Sequence, residues 1–386
     1  STGGPSGNNG PPTIPGQLVV DLSVAVDLPT FHSRWGTATL AEIEGSEAVL
    51  VRLPAGQDAM GTAFQMIIGG DCDTAEPNFE LESPDANQGV VAFVETGHVF
   101  SDVADQDALG RIGAPAAQAL GTGAGVVVAI IDTGIDATHP DLAGAVLPGW
   151  DFVQNDGDAS ETWNNVDDDL DGMVDEGKGH GTHVAGIVHA VAPGAMLLPV
   201  RVLDDEGMGS SFDVARGIRW AVDQGAQVIN LSLGMSAKPE VVKEAIEYAE
   251  DAGVFVAASA GNFGQHVHSH YPAKFSDVVG VAATDATDMK AGFSSFGSLV
   301  SVSAPGDAIL STYPGGLHAV WSGTSFATPM ISGGAAIRAE IRPGSSADEL
   351  AEAIEDSAFP VDYTGLPYAE EMGSGRVDLA AMVQLP

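Results

Sequence analysis

The sequence predicts an α/β fold built on a mostly parallel sheet with helices on both faces. Short apolar runs with the character of buried strands recur after Gly125, and helical patterns lie between several of them. Strands that are apolar along almost their whole length are typical of a parallel sheet that is covered on both sides. The chain has 386 residues, 44% of them hydrophobic, which is enough to bury a large core.

The first part of the chain is predicted to contain a tether, a small domain and a linker. Residues 1–17 are rich in Gly, Pro, Ser, Thr and Asn, a composition typical of a flexible tether. Strand-like and helix-like runs alternate over residues 18–84, with a strand predicted at 48–53 and a short helix at 58–68. Residues 85–110 carry many acidic residues, polar residues and glycines, and we interpret them as a linker.

The main domain is predicted over residues 111–386. The predicted strands are residues 126–131, 196–203, 228–233, 254–258, 278–282 and 299–303, and the predicted helices are residues 183–192, 213–224, 239–252 and 325–341. Ligands of such folds bind at the carboxyl ends of the strands. Asp132 and Asn262 each follow a predicted strand end, so we expect the functional site at that edge of the sheet.

The charge of the chain argues against a nucleic-acid partner. Its 53 acidic and 14 basic residues give a net charge of −39, which would repel phosphate. Such an excess of carboxylates is relieved by salt or by bound cations, and it predicts adaptation to high salt, to calcium, or to both. A merely acidic secreted enzyme is the alternative interpretation.

Three further features limit the class of protein. The apolar run at 126–131 is far too short to span a bilayer, and we expect no membrane span. Cys72 is the only cysteine, so no disulfide can form within the chain. The first residues show no basic region followed by an apolar block, and we expect that a secretory signal is absent or has been removed.

Three motifs carry the residues of an acyl-transfer site. Ser325 lies in Ser-Gly-Thr-Ser-Phe-Ala-Thr-Pro, at the start of a helical run, where a helix N-terminus favours negative charge. Asp132 lies in Ile-Ile-Asp-Thr-Gly-Ile-Asp, and His180 lies in Gly-His-Gly-Thr-His-Val-Ala-Gly. An acid, an imidazole and a hydroxyl are the components of nucleophilic catalysis by serine.

These motifs, together with Ala-Ser-Ala-Gly-Asn at 258–262, closely resemble the subtilisin-like serine protease family. The chain order Asp, His, Ser is that of subtilisin, and the resemblance runs from residue 111 to residue 383. It implies that Ser325 is the nucleophile, that His180 is the general base and that Asp132 orients the imidazole. Asn262 would then stabilise the oxyanion together with the backbone N–H of Ser325.

The resemblance also implies where a peptide substrate binds. Two edge segments would hold an extended peptide between them by backbone hydrogen bonds, a mode that accepts many side chains and predicts broad specificity. The first edge consists of Gly207, Met208 and Gly209, and the second consists of Ser232, Leu233 and Gly234. The wall of the first specificity pocket would consist of Ser259, Ala260 and Gly261. His270 would lie near the floor of that pocket, the alternative being a loop histidine that points to solvent.

The N-terminal part resembles, more loosely, the propeptide of these proteases. Residues 36–53 and the string Ala-Glu-Pro-Asn-Phe at 75–79 carry this similarity. It implies a small α+β domain of ferredoxin-like fold that assists folding and then inhibits the protease within the same chain. It also implies a maturation cut between about residues 81 and 97 in a secreted, monomeric zymogen, either free or tethered to the cell surface.

An acidic loop before His180 predicts a calcium site. Asp167, Asp169, Asp171 and Gly172 have the spacing of the first half of a calcium loop, where alternate carboxylates and one backbone carbonyl, here that of Met173, surround the ion. Lys178 stands where an EF-hand has its closing acid, so Asp175 or Glu176 would have to close the site. A solvated acidic loop without calcium is the alternative.

The remaining candidate ligands are expected to be structural. Asp141 matches a residue that helps to bind calcium in many relatives, but the partner loop after the His180 helix has no counterpart here, and we expect that site to be absent. His183 is expected to pack or to cap its helix. The histidines at 266, 268 and 270 are expected on a surface loop rather than around a metal.

Three rival functions are weaker. Aspartic proteases need two Asp-Thr-Gly loops, and residues 132–134 are the only copy. The glycines at 121–125 precede a strand instead of joining a strand to a helix, which argues against nucleotide binding. A catalytically silent subtilase-like binding or scaffold protein is the remaining alternative.

Overall fold

The fold is described from a computed structural model of the chain. The structure describes residues 11–83, 93–95, 98–168, 172–361, 363, 365–369 and 371–386. Within these ranges every helix is too short or too polar to cross a lipid bilayer.

A small α+β domain comes first. Its elements are β1 (Thr13–Leu22), α1 (Leu28–Trp35), β2 (Ala38–Glu42), β3 (Ala48–Arg52), α2 (Ala59–Ile68) and β4 (Cys72–Glu82). The antiparallel strand order β2-β3-β1-β4 with this βαββαβ sequence is the ferredoxin-like arrangement. The strand and helix predicted at 48–53 and 58–68 are confirmed.

The predicted tether is too long at its C-terminal end. Strand β1 begins at Thr13 because it pairs with both β3 and β4, and Leu18 on this strand is fully buried. The boundary at residue 17 was therefore wrong. Residues 1–10 of the predicted tether lie outside the described residues.

The predicted linker also differs from the structure. Its described part contains β5 (Phe93–Glu95), α3 (Phe100–Ala104) and the start of α4 (Asp107–Arg111), and α5 (Ala114–Gln118) follows. Val103 and Leu109 are buried in the core of the main domain. Residues 98–110 therefore belong to that domain because their apolar side chains pack into it, and a linker there was a wrong prediction.

The main domain is built on a parallel sheet, as predicted. Its strands are β6 (Val127–Asp132), β7 (Trp150–Asp151), β8 (Met196–Arg201), β10 (Val228–Leu231), β11 (Phe255–Ser259), β12 (Val279–Thr284) and β13 (Val302–Pro305). The order is β13-β12-β11-β10-β6-β8-β7, and every neighbouring pair is parallel. The last strand begins three residues after the predicted position 299 because pairing with β12 begins at Val302.

Helices cover both faces of this sheet. They are α6 (His180–Val191), α7 (Ser211–Asp223), α8 (Glu240–Asp251), α9 (Thr324–Ile341), α10 (Ala347–Asp356) and α11 (Leu379–Met382). Strand β6 shows the two-sided burial directly: Val128 and Ile130 pack with α6 and α9, whereas Ala129 and Ile131 pack with α7 and α8. A strand that is buried on both faces is apolar along its whole length. The continuous apolar run in the sequence therefore predicted this strand correctly.

Shorter elements complete the domain. Strand β9 (Met208–Ser210) pairs antiparallel with β4 and so joins the two domains through one sheet. Strands β14 (Ile309–Tyr313) and β15 (Leu317–Trp321) form a hairpin to which β5 adds a third antiparallel strand. A 3₁₀ turn, Pro140–Leu142, follows β6.

Candidate active site

Asp132 and His180 form a buried hydrogen-bonded pair. Asp132 ends β6 and His180 begins α6, directly after Gly179, whose φ of 89° lies in the left-handed region. The Nδ1–H of His180 donates to Asp132 Oδ1 at 2.7 Å, and the backbone N–H of Thr133 donates to the same oxygen at 2.7 Å. A carboxylate can only accept, so this bond sets the tautomer and directs Nε2 away from Asp132.

Ser325 lies beside this pair in the first turn of α9. The ring of the next residue, Phe326, lies 5.6 Å from the imidazole of His180, measured between ring centroids. The Oγ of Ser325 is 3.5 Å from Ser232 O, and Ser232 Oγ donates to Ser325 O at 2.8 Å. These contacts fix the hydroxyl at the end of β10, next to the end of β6 in the sheet.

Asn262 is held against the same helix start. Its Oδ1 accepts hydrogen bonds from the backbone N–H and from the hydroxyl of Thr324, both at 2.9 Å. Because a backbone N–H can only donate, the terminal atom facing Thr324 must be the oxygen. The other terminal atom of Asn262 is therefore the amide nitrogen, Nδ2. The Asn262 side chain is thus held next to Ser325 through its bonds to Thr324.

The two predicted substrate edges are brought together, and the end of β4 lies between them. On one side Leu81 stands opposite Gly209 and Glu82 opposite Met208, and the N–H of Ser83 donates to Gly207 O at 2.9 Å. On the other side Glu82 and Gly234 exchange backbone hydrogen bonds at 3.2 and 3.0 Å. The chain's own segment therefore forms the central strand of the arrangement predicted for a bound peptide.

His270 is buried beside residues predicted to line the substrate edge and the pocket wall, and it is not in solvent. It is 4% exposed. Its imidazole packs against Gly234 and Gly261 so closely that a Cβ at either glycine would crowd the ring. Its Nε2 is buried without a hydrogen-bond partner among the described residues, and burial lowers the pKa of His270 to about 4. The alternative of a solvent-exposed loop histidine was wrong for this residue, and the ring is neutral above that pH.

The walls of the pocket come from consecutive strand ends. Ser259 ends β11, and its Oγ lies 3.5 Å from Leu233 O, which joins the second edge to the wall. Ala260 is fully buried, and Gly261 adopts a φ of 91° that a side chain would strain. The model of the subtilase family matches residues 123–378, the part of the chain that carries all of these groups.

The chain belongs to the subtilase family.

Similarity to individual proteins extends over most of this subtilase. Thermitase from Thermoactinomyces vulgaris is 43% identical over 71% of this chain and 94% of its own length. Subtilisin E from Bacillus subtilis is 37% identical over 76% of each chain. Fervidolysin from Fervidobacterium pennivorans, described as a keratinolytic enzyme related to subtilisin, matches in structure with a TM-score of 0.80 at 26% identity. That match covers 99% of this chain and 62% of fervidolysin. The protein is therefore a serine endopeptidase of the subtilisin-like α/β fold, as the sequence predicted.

A second buried carboxyl group, that of Glu161, adjoins the Asp132–His180 pair. Thr133 Oγ1 donates to Glu161 Oε1, and Thr182 Oγ1 donates to Glu161 Oε2, each at 2.7 Å. Burial raises the pKa of Glu161 to about 7. Glu161 thus ties the residue after Asp132 to the first turn of α6. Sequence reasoning missed it, because Ser-Glu-Thr at 160–162 lies outside every motif.

The acidic loop is partly described. Asp169 and Asp171 lie outside the described residues. Asp167 accepts a 3.1 Å hydrogen bond from Gly172 N on Oδ2, while its Oδ1 is buried without a hydrogen-bond partner among the described residues. Asp175 accepts from the N–H groups of Asn164 and Asn165 at 3.0 and 2.8 Å, so both of its oxygens already serve the loop.

Other members of the predicted ligand set differ in exposure. Glu176 is half-buried, and the side chain of Met173 is exposed. A second acidic segment, residues 204–206, which the sequence reasoning did not flag, packs against this loop: Glu206 Oε1 accepts from Asp168 N at 2.8 Å. Burial, with the charges of Asp175, Glu206 and Asp168, raises the pKa of Asp205. Carboxylates from two loops therefore converge here.

Three other candidate groups, His183, Cys72 and Asp141, are packed, buried or paired with a neighbouring side chain. His183 is fully buried and stacks on Trp321 at 5.0 Å between ring centroids, and burial lowers its pKa to about 3. It is packed, as expected. Burial raises the pKa of the Cys72 thiol to about 12, so Cys72 is a poor nucleophile at neutral pH. Asp141 pairs with His318 at 2.7 Å.

Proposed function

We propose that Asp132, His180 and Ser325 hydrolyse peptide bonds through an acyl-enzyme. Ser325 Oγ attacks the scissile carbonyl carbon and transfers its proton to His180 Nε2, which then gives that proton to the leaving amine. Water repeats the sequence and releases the acid, while Asp132 stabilises the imidazolium. The observation that carries this proposal is the buried 2.7 Å hydrogen bond between His180 and Asp132 beside the first turn of α9.

The developing oxyanion is stabilised, in this proposal, by Asn262 Nδ2 and the backbone N–H of Ser325. Thr324 holds the other end of the Asn262 amide, so the donor is fixed before the charge develops, and the N-terminus of α9 adds its favourable potential.

A fluorophosphonate probe tests the nucleophile. We expect it to label the mature protein at Ser325 and to leave a Ser325→Ala variant unlabelled and unable to hydrolyse casein. A matched variant, Ser332→Ala, removes another buried serine hydroxyl of the same helix and should keep its label. An unlabelled wild-type protein without hydrolysis would instead support the silent binding or scaffold protein.

We propose that substrates bind as an added strand between the edges at 207–209 and 232–234. The substrate would form backbone hydrogen bonds of the type that Glu82 and Ser83 make. Such bonds do not depend on the identity of the side chains, which gives broad specificity. The residue before the scissile bond would enter the pocket walled by 259–261. There the neutral imidazole of His270, whose Nε2 has no hydrogen-bond partner among the described residues, favours a side chain that ends in a hydrogen-bonding group.

We propose that the N-terminal domain is an inhibitory propeptide. Two of its residues cap helices of the main domain: Glu76 accepts from the N–H groups of Glu240 and Val241 at 2.9 and 3.0 Å, and Asn78 Oδ1 accepts from Phe212 N at 3.1 Å. These helix starts would otherwise present unpaired N–H groups. Docking there aligns the end of β4 with the substrate edges, so the domain blocks the cleft.

The maturation cut follows from the same contacts. The backbone ladder extends to Ser83. We therefore propose a cut beyond this residue, within the range of about 81 to 97 that the sequence suggested. N-terminal sequencing of the active species tests this. We expect a new N-terminus in that interval for the wild type, and an uncleaved chain for Ser325→Ala.

We propose that the loop at 167–176 binds calcium, with Asp167, Asp169 and Asp171 as carboxylate ligands and Met173 contributing its carbonyl. The buried, unpartnered oxygen of Asp167 and the second acidic segment at 204–206 support a cation there. Asp175 contributes indirectly through its hydrogen bonds to Asn164 and Asn165, and Glu176 remains the closing ligand.

We further propose a secreted monomer adapted to high salt. The net charge of −39 would keep chains apart, and salt would screen the repulsion within each chain. A free energy of unfolding that rises between low and molar NaCl would support the adaptation to high salt. Sedimentation as a single chain would support the monomer. A salt-independent melting temperature would contradict the high-salt proposal.

A further inference from the structure

We propose that His139, Asp141 and His318 form a binding site for a divalent transition-metal ion such as Zn²⁺. Their ligand atoms all lie within 4.8 Å of one another, and His318 Nε2 is 2.7 Å from Asp141 Oδ2. Two ligands about 2.1 Å from a tetrahedral zinc ion lie roughly 3.4 Å apart. A small opening of the existing His318–Asp141 contact therefore admits the ion.

The hydrogen bonding of His139 prepares it as a ligand. Its Nε2–H donates to the backbone carbonyl of Leu317 at 2.8 Å, because a carbonyl can only accept. The lone pair is then on Nδ1, which receives a long 3.2 Å contact from Asp141 N. A ligating histidine usually donates its other N–H to a carbonyl or carboxylate, which fixes the ring and its tautomer. Leu317 supplies that support from the strand that carries His318.

The burial of the three residues differs in a useful way. His139 and His318 are buried, and their rings meet edge to face at 5.4 Å between centroids, whereas Asp141 is partly exposed. The ion would thus have two fixed imidazole ligands and access from the side of the carboxylate. His98 precedes the neighbouring helix α3, with its ring centroid 6.3 Å from that of His318 and its Nδ1 bonded to Asp102, so a water molecule would complete the coordination of the ion.

The donor set selects the class of metal. Calcium takes six to eight oxygen ligands, whereas two imidazoles and one carboxylate suit zinc and its neighbours in the first transition row. This site is therefore chemically distinct from the acidic loop at 167–176. It joins the turn that follows β6 to β15, and so it would cross-link the segments that carry Asp132 and lead to Ser325.

The test uses the full chain with Ser325→Ala, which prevents self-cleavage, in calcium sufficient to saturate the acidic loop. Metal-free protein is titrated with Co²⁺, followed by its visible absorption, and with Zn²⁺, followed by calorimetry and melting temperature. We expect one ion per chain, a tetrahedral cobalt spectrum and a higher melting temperature. Asp141→Asn, which keeps the shape of the side chain, and His318→Phe should each weaken binding by about 100-fold.

The matched control is His268→Phe, which removes an exposed histidine from another loop. It should leave affinity and spectrum unchanged. The proposal is overturned if the wild type binds no Co²⁺ or Zn²⁺ under these conditions, or if Asp141→Asn and His318→Phe both bind as tightly as the wild type. If His318→Phe does not fold, Asp141→Asn alone tests the proposal, because it keeps the shape of the side chain.

Discussion

Replacing Asn262 by Asp separates oxyanion stabilisation from folding. The Asp side chain keeps an oxygen for the N–H and hydroxyl of Thr324, which both donate to Asn262 Oδ1 at 2.9 Å. It replaces the amide N–H₂ by an oxygen that cannot donate to an oxyanion. We therefore expect kcat to fall while KM and melting temperature change little.

The magnitude of the loss in kcat is taken from a relative. Removing the corresponding donor in subtilisin costs about 10²–10³ in kcat, and we adopt that measured range for Asn262→Asp. Asn262→Ala should lose a similar factor and also stability. It leaves the buried N–H of Thr324 without its acceptor, which costs about 1–3 kcal/mol. The difference in melting temperature between the two variants thus contains the loss of the Thr324 hydrogen bond together with the loss of the side chain's packing.

The measurement is the initial rate on a chromogenic peptide. Dividing it by the concentration of active sites, titrated with fluorophosphonate, gives a kcat that does not depend on how much of the protein has matured. Ser325→Ala sets the background rate. Asn262→Asp within about threefold of the wild-type kcat would refute the proposed oxyanion site. Equal melting temperatures for the Ala and Asp variants would refute the role assigned to Thr324.

Three further predictions concern ions, pH and specificity. Chelation should lower the free energy of unfolding by the contribution of calcium binding, about 2.7 kcal/mol when calcium is 100-fold above Kd, and so lower the melting temperature. Asp167→Asn should abolish this calcium-dependent part, and an unchanged melting temperature in EDTA favours the solvated loop. Burial raises the pKa of Glu76 to about 7 in the docked domain, so its contribution to docking is complete below the ordinary pKa of 4.5 and is lost as pH rises through 7. In the uncleaved Ser325→Ala chain, Glu76→Gln should flatten the decline of melting temperature between pH 5 and 8, and parallel declines would contradict this. His270→Phe should shift the preferred residue before the cut toward purely apolar side chains in a peptide library, and an unchanged profile would exclude His270 from the pocket.

Elements that are buried on both faces were predictable, and elements with internal polar partners were not. The strand β6 is apolar from Val127 to Ile131, and its pattern alone indicated a covered sheet. The hairpin strand β14 was missed because it contains Ser311 and Thr312. Their hydroxyls donate to the carbonyls of His183 and Thr182 at 2.7 Å, so a polar stretch is buried through tertiary hydrogen bonds that no local pattern shows.

The residues of the site also differ in whether the sequence alone could predict them. Asp132, His180, Ser325 and Asn262 lie in strings whose residue types point directly to their chemistry. The position of His270 depends on the missing side chains of Gly234 and Gly261, and a sequence does not show the space that a glycine leaves. The position of Glu161 depends on hydrogen bonds from two threonine hydroxyls in separate segments. These bonds form only when β6 and α6 are adjacent in the fold, so no local sequence pattern indicates them.

The docking of the N-terminal domain suggests how an inhibitor can be both tight and temporary. Glu82 and Ser83 make the backbone hydrogen bonds that we propose for a substrate, and Glu76 and Asn78 cap α8 and α7 at a distance from the cleft. While the chain is intact these contacts form within one molecule, where a tethered partner has an effective concentration of roughly millimolar order. If the chain is cleaved as proposed, the same contacts must form between two molecules, so dilution would weaken the proposed inhibition without any change in the interface. The helix caps then decide how long the cleaved domain stays bound, because they are the contacts that a competing substrate strand cannot replace.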